Sequence, residues 1–213
     1  MTILVWDQAG ERIYQTGVDR GVLFLPDGTV VPWNGLTSVE DNTSKETNAI
    51  YLDGFKYLEY ISPGDFSAIL KAFTYPEEFD SVNGILRFTP GLRVHDQPPK
   101  NFSLSYRTKI GDDISGIDAG YLIHLIYNVL ANPDSQESAT ISDSPTPSEF
   151  SWALSARPIR ESVSWRPTAH VSINSRDISS ELLQTFEDVI YGTTEVDPRL
   201  PAISEVPTLL GYV

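Results

Sequence analysis

The side chains that could do chemistry in this sequence are few and stand apart. The three histidines are His95, His124 and His170, a spacing that matches no metal-ligand motif. Two of them fall inside strand patterns, where a partly buried structural role is the plainer reading. Asp112, Asp113 and Asp118 sit in a Gly-rich reversal that looks in outline like a calcium loop. The alternating D-x-D-x-D-G spacing and the distal bidentate Glu are missing, so they read as turn residues. Glu77 and Glu78 could in principle serve a glycosidase, but after Pro76 they read as the solvated start of a helical turn. The chain has no cysteine, which excludes disulfides, thiolate metal sites and a Cys nucleophile. It also lacks a Gly-rich strand-to-helix loop for phosphate and a G-x-S-x-G elbow. No nucleophile or base is matched with an orienting partner. The expectation is therefore no enzyme, no cofactor and no metal.

Aromatic side chains leave one binding alternative open. Trp33 and Trp165 neighbour prolines in irregular or edge sequence and could line a sugar-binding face, whereas Trp152 lies on an apolar strand face and reads as core.

Composition narrows the class further. A chain of 213 residues, 40% hydrophobic, is long enough for one large β domain or two small ones and can bury a real core. Its net charge is −14, with acids spread along the chain, so general binding to duplex DNA is not expected. The plainer reading of this acidity is solubility alone; the sharper alternative is a surface that stays near nucleic acid without adhering to it. The N-terminus lacks the basic start and apolar length of a signal peptide, and no stretch has the length to cross a bilayer. No membrane insertion is expected. Absence of cysteine fits assembly in a reducing compartment.

The elements that must position these residues are organised around residues 102–132, FSLSYRTKIGDDISGIDAGYLIHLIYNVLAN. In its first strand Phe102, Leu104, Tyr106 and Ile110 alternate with Ser103, Ser105, Arg107 and Lys109, so one face is apolar and the other wet. In the second, strict alternation places Tyr121, Ile123, Leu125, Tyr127 and Val129 on one face, while the other, with Leu122, His124, Ile126, Asn128 and Leu130, is still largely apolar. The first strand reads as half-exposed and the second as central.

Further strands are predicted at 22–25, 50–52, 55–61, 66–75, 140–142, 150–156 and 169–173, with Asp53 and Gly54 turning the clearest hairpin. Residues 40–48 and 80–101 read as irregular. A helix is predicted over about 179–191, since Leu182, Leu183, Phe186, Val189 and Ile190 form one apolar stripe, with Asp177 or Ser179 to cap its start and Gly192 at its end. Prolines 198, 201 and 207 make 193–213 an extended arm, and the N-terminal segment 1–20 reads as extended too, as an edge strand or an arm. The sum is a mainly β chain of eight or nine strands with one late helix, in a single domain over 1–213.

These segments in this order resemble the major tail protein, or tail tube protein, of long-tailed bacteriophages with non-contractile tails. The resemblance is carried by VPWNGLTSVED (31–41), IYLDGFKYLEYISPGDFSAILKAFTYPEEF (50–79), FSLSYRTKIGDD (102–113), GYLIHLIYNV (120–129), ATISDSPTPSEFSWALSARP (139–158), LLQTFEDVIYGT (182–193) and RLP (199–201). It implies two packed antiparallel sheets, as a sandwich or partial barrel, with one flanking helix. It implies a structural subunit that forms hexameric rings stacked into a tube for DNA ejection. The partners would be copies of itself, other tail proteins at the tube ends and a tape measure protein in the lumen. DNA would pass without specific binding. The implied location is the virion tail, after synthesis in the bacterial cytoplasm. Some members carry an extra immunoglobulin-like domain, which is not expected here. A terminator or tip ring of the same fold is the alternative. The polar loop with Glu40, Asp41, Lys45 and Glu46, the reversal with Asp112, Asp113 and Asp118, and Arg199, Leu209 and Leu210 in the C-terminal arm are the expected contacts between subunits.

Overall fold

A computed structural model describes residues 4–45, 47–61, 64–136, 147–161 and 165–212. Among them the strands are β1 (Tyr14–Phe24), β2 (Val30–Trp33), β3 (Leu36–Asp41), β4 (Thr47–Leu52), β5 (Phe55–Ile61), β6 (Phe66–Ala72), β7 (Leu86–Thr89), β8 (Leu92–Val94), β9 (Phe102–Asp112), β10 (Gly116–Gln136), β11 (Phe150–Ala156) and β12 (His170–Asn174). Helix α1 spans Ser180–Tyr191, a short α2 spans Val206–Leu209, and Glu77–Ser81 form a 3-10 turn. Glu46 and the strand predicted at 140–142 lie outside the described residues.

The fold is mainly β. Eight strands make one antiparallel sheet in the order β2-β1-β9-β10-β11-β6-β3, with β12 also paired to β10. The hub is β10. Its residues 122–126 are held between β9 and β12, and its residues 129–136 turn to β11. At the changeover the ladder slips between Ile126 and Val129, and Asn128 takes a left-handed φ of 54°. One extra residue there reverses the facing of everything after it. Val129 consequently leaves Tyr127's face, where strict alternation places it, and joins Ile126 in the opposite core.

The sheet wraps around that core, which brings together Leu23 of β1, Leu104 of β9, Ile126 and Val129 of β10, Leu154 of β11 and Leu70 of β6, closed by Trp33 and Phe79. This is the predicted partial barrel. On the outer face, α1 lays Leu183, Phe186 and Ile190 over Ile123, Leu125 and Ile173. Ser179 enters the helix with extended backbone and Gly192 ends it at a φ of 77°, a conformation that costs glycine nothing. Strand β10 is thus covered on both faces. Strand β6 takes up most of the strand predicted at 66–75: Phe66, Ala68, Leu70 and Ala72 are buried at a period of two.

Four expectations need correction. Strand β9 is not half-exposed: β1 pairs along its outer edge, none of its residues is exposed, and Arg107 on its wet face is largely covered beside Glu187 of α1. Segment 80–101 is not wholly irregular; Pro90 and Gly91 turn the small hairpin β7–β8. The N-terminal segment is not an arm throughout, since β1 begins at Tyr14 and pairs with β9, which is the edge-strand alternative. The C-terminal arm is not free either. Three prolines bar a long helix or strand but not docking, and Ile203, Val206 and Leu210 are buried against α1's core. Tyr127 Oη seals the approach with a 3.0 Å hydrogen bond to the Pro201 carbonyl.

Candidate assembly surface

Among the described residues, a run of exposed apolar side chains belongs to a part with no core behind it. Strands β4 and β5 pair only with each other, through Ile50 opposite Leu58, Asn48 opposite Tyr60 and Thr47 opposite Ile61. Asp53 and Gly54 both take positive φ, 50° and 81°, the geometry of a tight two-residue turn matched to strand twist. No residue of the hairpin is buried. Tyr51, Leu52, Phe55, Tyr57, Tyr60 and Ile61 all stand in solvent, Phe55 at 79% and Tyr57 at 72% exposure. An isolated two-stranded ribbon is marginal in water, and contiguous apolar exposure on this scale marks an interaction site. Its only ion pair, among the described residues, is Lys56 with Glu59 at 2.9 Å.

A second hairpin repeats the design with a firmer base. In β7–β8 Phe88 is 71% exposed, and Leu86, Leu92 and Val94 are also exposed. Arg87 and Arg93 lie opposite each other and both reach Asp80 Oδ2, at 2.7 and 3.0 Å, with Arg87 also paired to Glu77. Asp80 is buried, so this carboxylate pins the hairpin to the 3-10 turn.

The residues expected at contacts scatter into different roles. Glu40 and Asp41 are exposed at the end of β3, and Lys45 is exposed on the way into β4. Asp112 is turned inward, where it accepts hydrogen bonds from the backbone N–H groups of Ile114 and Ser115. These bonds hold its carboxyl below the usual range. Asp113 accepts a 2.9 Å bond from the Gly10 N–H, which ties the N-terminal segment to the reversal. Asp118 is exposed in the same turn. Arg199 pairs with Glu205, and its backbone N–H donates to the Val189 carbonyl at 2.8 Å. Leu209 is partly covered and Leu210 is buried within this chain. The structure therefore brings together the three aspartates, and separately the arm residues, but the arm residues mainly serve the fold.

The histidines divide as their strand positions suggest. His95 is exposed, while His124 and His170 meet inside the sheet. Trp33 is 2% exposed and its Nε1 donates to the Thr74 carbonyl at 3.0 Å, so it cannot face a sugar. Trp165 remains half exposed. Among the described residues, no group of three or more His, Asp or Glu is arranged to hold a metal ion.

Sequence reasoning passed over the exposed apolar hairpins. One signal was present: IYLDGFKYLEYI is apolar at both parities, which demands cover on both faces, yet no third strand flanks it.

No family model matches the chain, and no curated protein matches it. Solved structures give partial likenesses at low identity. A chain of the sheath–tube complex of the PVC extracellular contractile injection system, in its extended state, is 15% identical, with a TM-score of 0.40 over 73% of this chain and 88% of that one. A chain of the tube-terminating cap of the anti-feeding prophage is 11% identical, with a TM-score of 0.42 over 82% and 97%. A chain of the PVC sheath/tube terminator is 12% identical, with a TM-score of 0.35 over 80% and 99%.

Proposed function

We propose that this chain is a structural subunit of a phage-type tail that associates with copies of itself into rings stacked as a tube. The observation that carries this reading is the β4–β5 hairpin, which buries none of its apolar residues and leaves Phe55 and Tyr57 largely in water. Each large apolar side chain withdrawn from water is worth roughly 1.5–3 kcal/mol, so a neighbour that covers several of them supplies the driving force the monomer lacks. A heterologous contact of this kind closes rings or continues as a filament. The sequence resemblance to tail tube proteins points the same way, and the net charge of −14 suits a conduit that DNA must traverse without adhering. In this reading the hexameric ring, the tape measure in the lumen and other tail proteins at the ends are the partners.

The test is sedimentation and electron microscopy of the protein across a range of concentrations, beside a Phe55→Ser/Tyr57→Ser variant. Wild type should form rings or tubes, and the variant should stay monomeric with its thermal midpoint unchanged. A wild type that remains monomeric when concentrated, and is missing from virions, overturns the reading. Copy number per particle separates a tube subunit, in the hundreds, from a terminator or tip ring of six or twelve.

A further inference from the structure

At the root of the apolar hairpin the sheet contains a partly buried chain of titratable groups that ends at the exposed Asp41. His124 on β10 and His170 on β12 are diagonal neighbours on the inner face, with His124 Nδ1 3.0 Å from His170 Nε2. Tyr106 of β9 stacks on the His124 ring, centroids 4.6 Å apart at 11°, and the Phe66 ring of β6 meets His170 edge-on. Thr108 Oγ1 lies 3.0 Å from His124 Nε2, and Asp41 Oδ2, at the end of β3, lies 3.9 Å from His170 Nδ1. One tautomeric assignment satisfies every contact when both rings are neutral. The Thr108 hydroxyl donates to His124 Nε2, His124 Nδ1–H donates to His170 Nε2, and His170 Nδ1–H points at Asp41.

This chain of groups is joined to both legs of the β4–β5 hairpin. On the incoming leg, Asp41 Oδ1 accepts the Thr43 N–H at 2.9 Å, and the Asn42 N–H donates to the Ser67 carbonyl at 2.8 Å. On the outgoing leg, Phe66 is the residue that packs on His170. The legs touch between: a Cβ added at Gly64 would stand 2.1 Å from the Ser44 carbonyl oxygen, so only glycine fits. The cleft beside this crossing, about 580 Å³, is lined by Asp41, Lys45, Ile61, Gly64, Arg166 and His170. The charged or titratable groups around the pair are thus Asp41 and Lys45 from the β3–β4 side, Tyr106 from β9 and Arg166 from the segment before β12.

We propose that the His124–His170 pair with Asp41 is an acid-sensitive latch, which seats the hairpin root while an imidazole is neutral and releases it when both are protonated. A first proton is accommodated. His170 becomes the double donor, toward His124 Nδ1 and Asp41, while His124 shifts its own proton to Nε2 and donates to Thr108. A second proton has no acceptor, since two N–H groups then face each other across 3.0 Å between two cations. His124 is held by Tyr106, so His170 must withdraw. It takes with it the contacts to Phe66 and Asp41 on which both hairpin legs rest.

The directions of titration agree with this geometry. Burial, then the charge of His170, pushes His124 down to about 4 against the attraction of Asp41; burial also lowers His170, again against Asp41. Groups depressed in the folded state hold their full contribution above the ordinary histidine value near 6.5 and lose it as pH falls towards 4. The latch does not depend on the assembly reading; only its consequence for polymerisation does.

Hydrogen exchange of the dilute, monomeric full-length protein tests it, corrected for the intrinsic pH dependence of exchange and read beside NMR titration of the histidine rings. In wild type, amides of residues 47–61 should lose about tenfold in protection between pH 7 and pH 4.5 relative to those of β9, with a midpoint that tracks the ring titrations. A His124→Asn/His170→Gln variant should abolish that dependence, and Asp41→Asn should move the midpoint to lower pH by withdrawing the carboxylate that favours protonation. Hairpin protection in wild type that is flat across this range overturns the latch, whatever the variants do. So does an unchanged pH dependence in the double variant. Tubes at pH 7 together with flat exchange would sink the latch and leave the tube reading standing. A titrating latch in a protein that never assembles would do the reverse.

Discussion

Tyr121 Oη donates a 2.7 Å hydrogen bond to Glu187 Oε1, and this contact fastens the central strand β10 to the buried face of α1. Glu187 is the one charged residue on that face and is 8% exposed. It forms ion pairs with Arg20, at 3.5 Å, and Arg107, at 3.9 Å, the latter lying over the Tyr121 ring at 4.4 Å. Burial and the Glu187 carboxylate together push the Tyr121 hydroxyl up to about 12.

Replacing Tyr121 with Phe keeps the ring and its stacking on Arg107 but leaves one oxygen of a buried carboxylate short of a donor. A hydrogen bond to a charged acceptor is worth roughly 1.5–3 kcal/mol. The Tyr121→Phe variant should lose about 2 kcal/mol in urea unfolding, with the slope of the transition unchanged. A midpoint equal to wild type would show that Arg20 and Arg107 satisfy Glu187 without the tyrosine.

The docked C-terminus gives a prediction opposite to that of a free arm. Removing residues 202–213 takes away Ile203, Val206 and Leu210, all buried against α1 and its sheet. At roughly 1.5–3 kcal/mol for each side chain, the loss is a large part of the 5–15 kcal/mol that holds a typical domain together. The truncated chain should unfold at a markedly lower temperature by circular dichroism, or fail to accumulate as a folded protein. An unchanged thermal midpoint would mean that the arm, despite its contacts, is a clip and not part of the core.

Periodicity made much of the fold legible. The helix from Ser180 to Tyr191, the hairpin at Asp53 and Gly54, and the strands at 150–156 and 169–173 follow from local pattern and turn chemistry. What pattern could not show was the effect of single bulges and of distant cover. Asn128 inverts the facing of β10 after Tyr127, and nothing in its neighbours announces a left-handed residue there. Arg107 reads as wet because its partners, Asp19 and Glu187, arrive from 88 residues before it and from a helix near the other end of the chain. The C-terminal arm was misjudged because proline content limits secondary structure without limiting burial, as Ile203 and Leu210 show. At the candidate site the polar loops were legible as exposed, whereas the apolar hairpins require a neighbour that no single sequence displays.

The base of the second hairpin makes a local prediction. Asp80 gathers Arg87 and Arg93 from opposite strands, so Asp80→Asn would leave two guanidinium groups facing a neutral amide. Both arginines are partly exposed and can turn to water, which keeps the global cost to about 1–3 kcal/mol, below that of a fully buried pair. The larger effect should be on β7–β8 itself. Cleavage by chymotrypsin at Phe88 should speed up well beyond what the loss in global stability explains. Equal cleavage rates in wild type and variant would show that the strands hold without their anchor.

A last prediction separates two windows of acid sensitivity. Arg107 donates to both oxygens of Asp19, at 2.8 and 2.9 Å, and these hydrogen bonds hold the Asp19 carboxyl below its ordinary value of 3.8. Because the folded pKa is depressed, the stabilisation from this pair is complete above about pH 4–5 and is lost as pH falls through the folded value. Histidine-linked loss should instead fall between about 6.5 and 4, the interval over which His124 is neutral in the fold and charged in the unfolded chain. Urea midpoints measured from pH 8 to pH 2.5 should therefore decline in two stages. Asp19→Asn should lower stability by about 1–2 kcal/mol at neutral pH and flatten the stage below pH 4, while the stage above it persists. If the variant instead erases the decline between 6.5 and 4, the histidine pair is not its source, and the two clusters are coupled through β9.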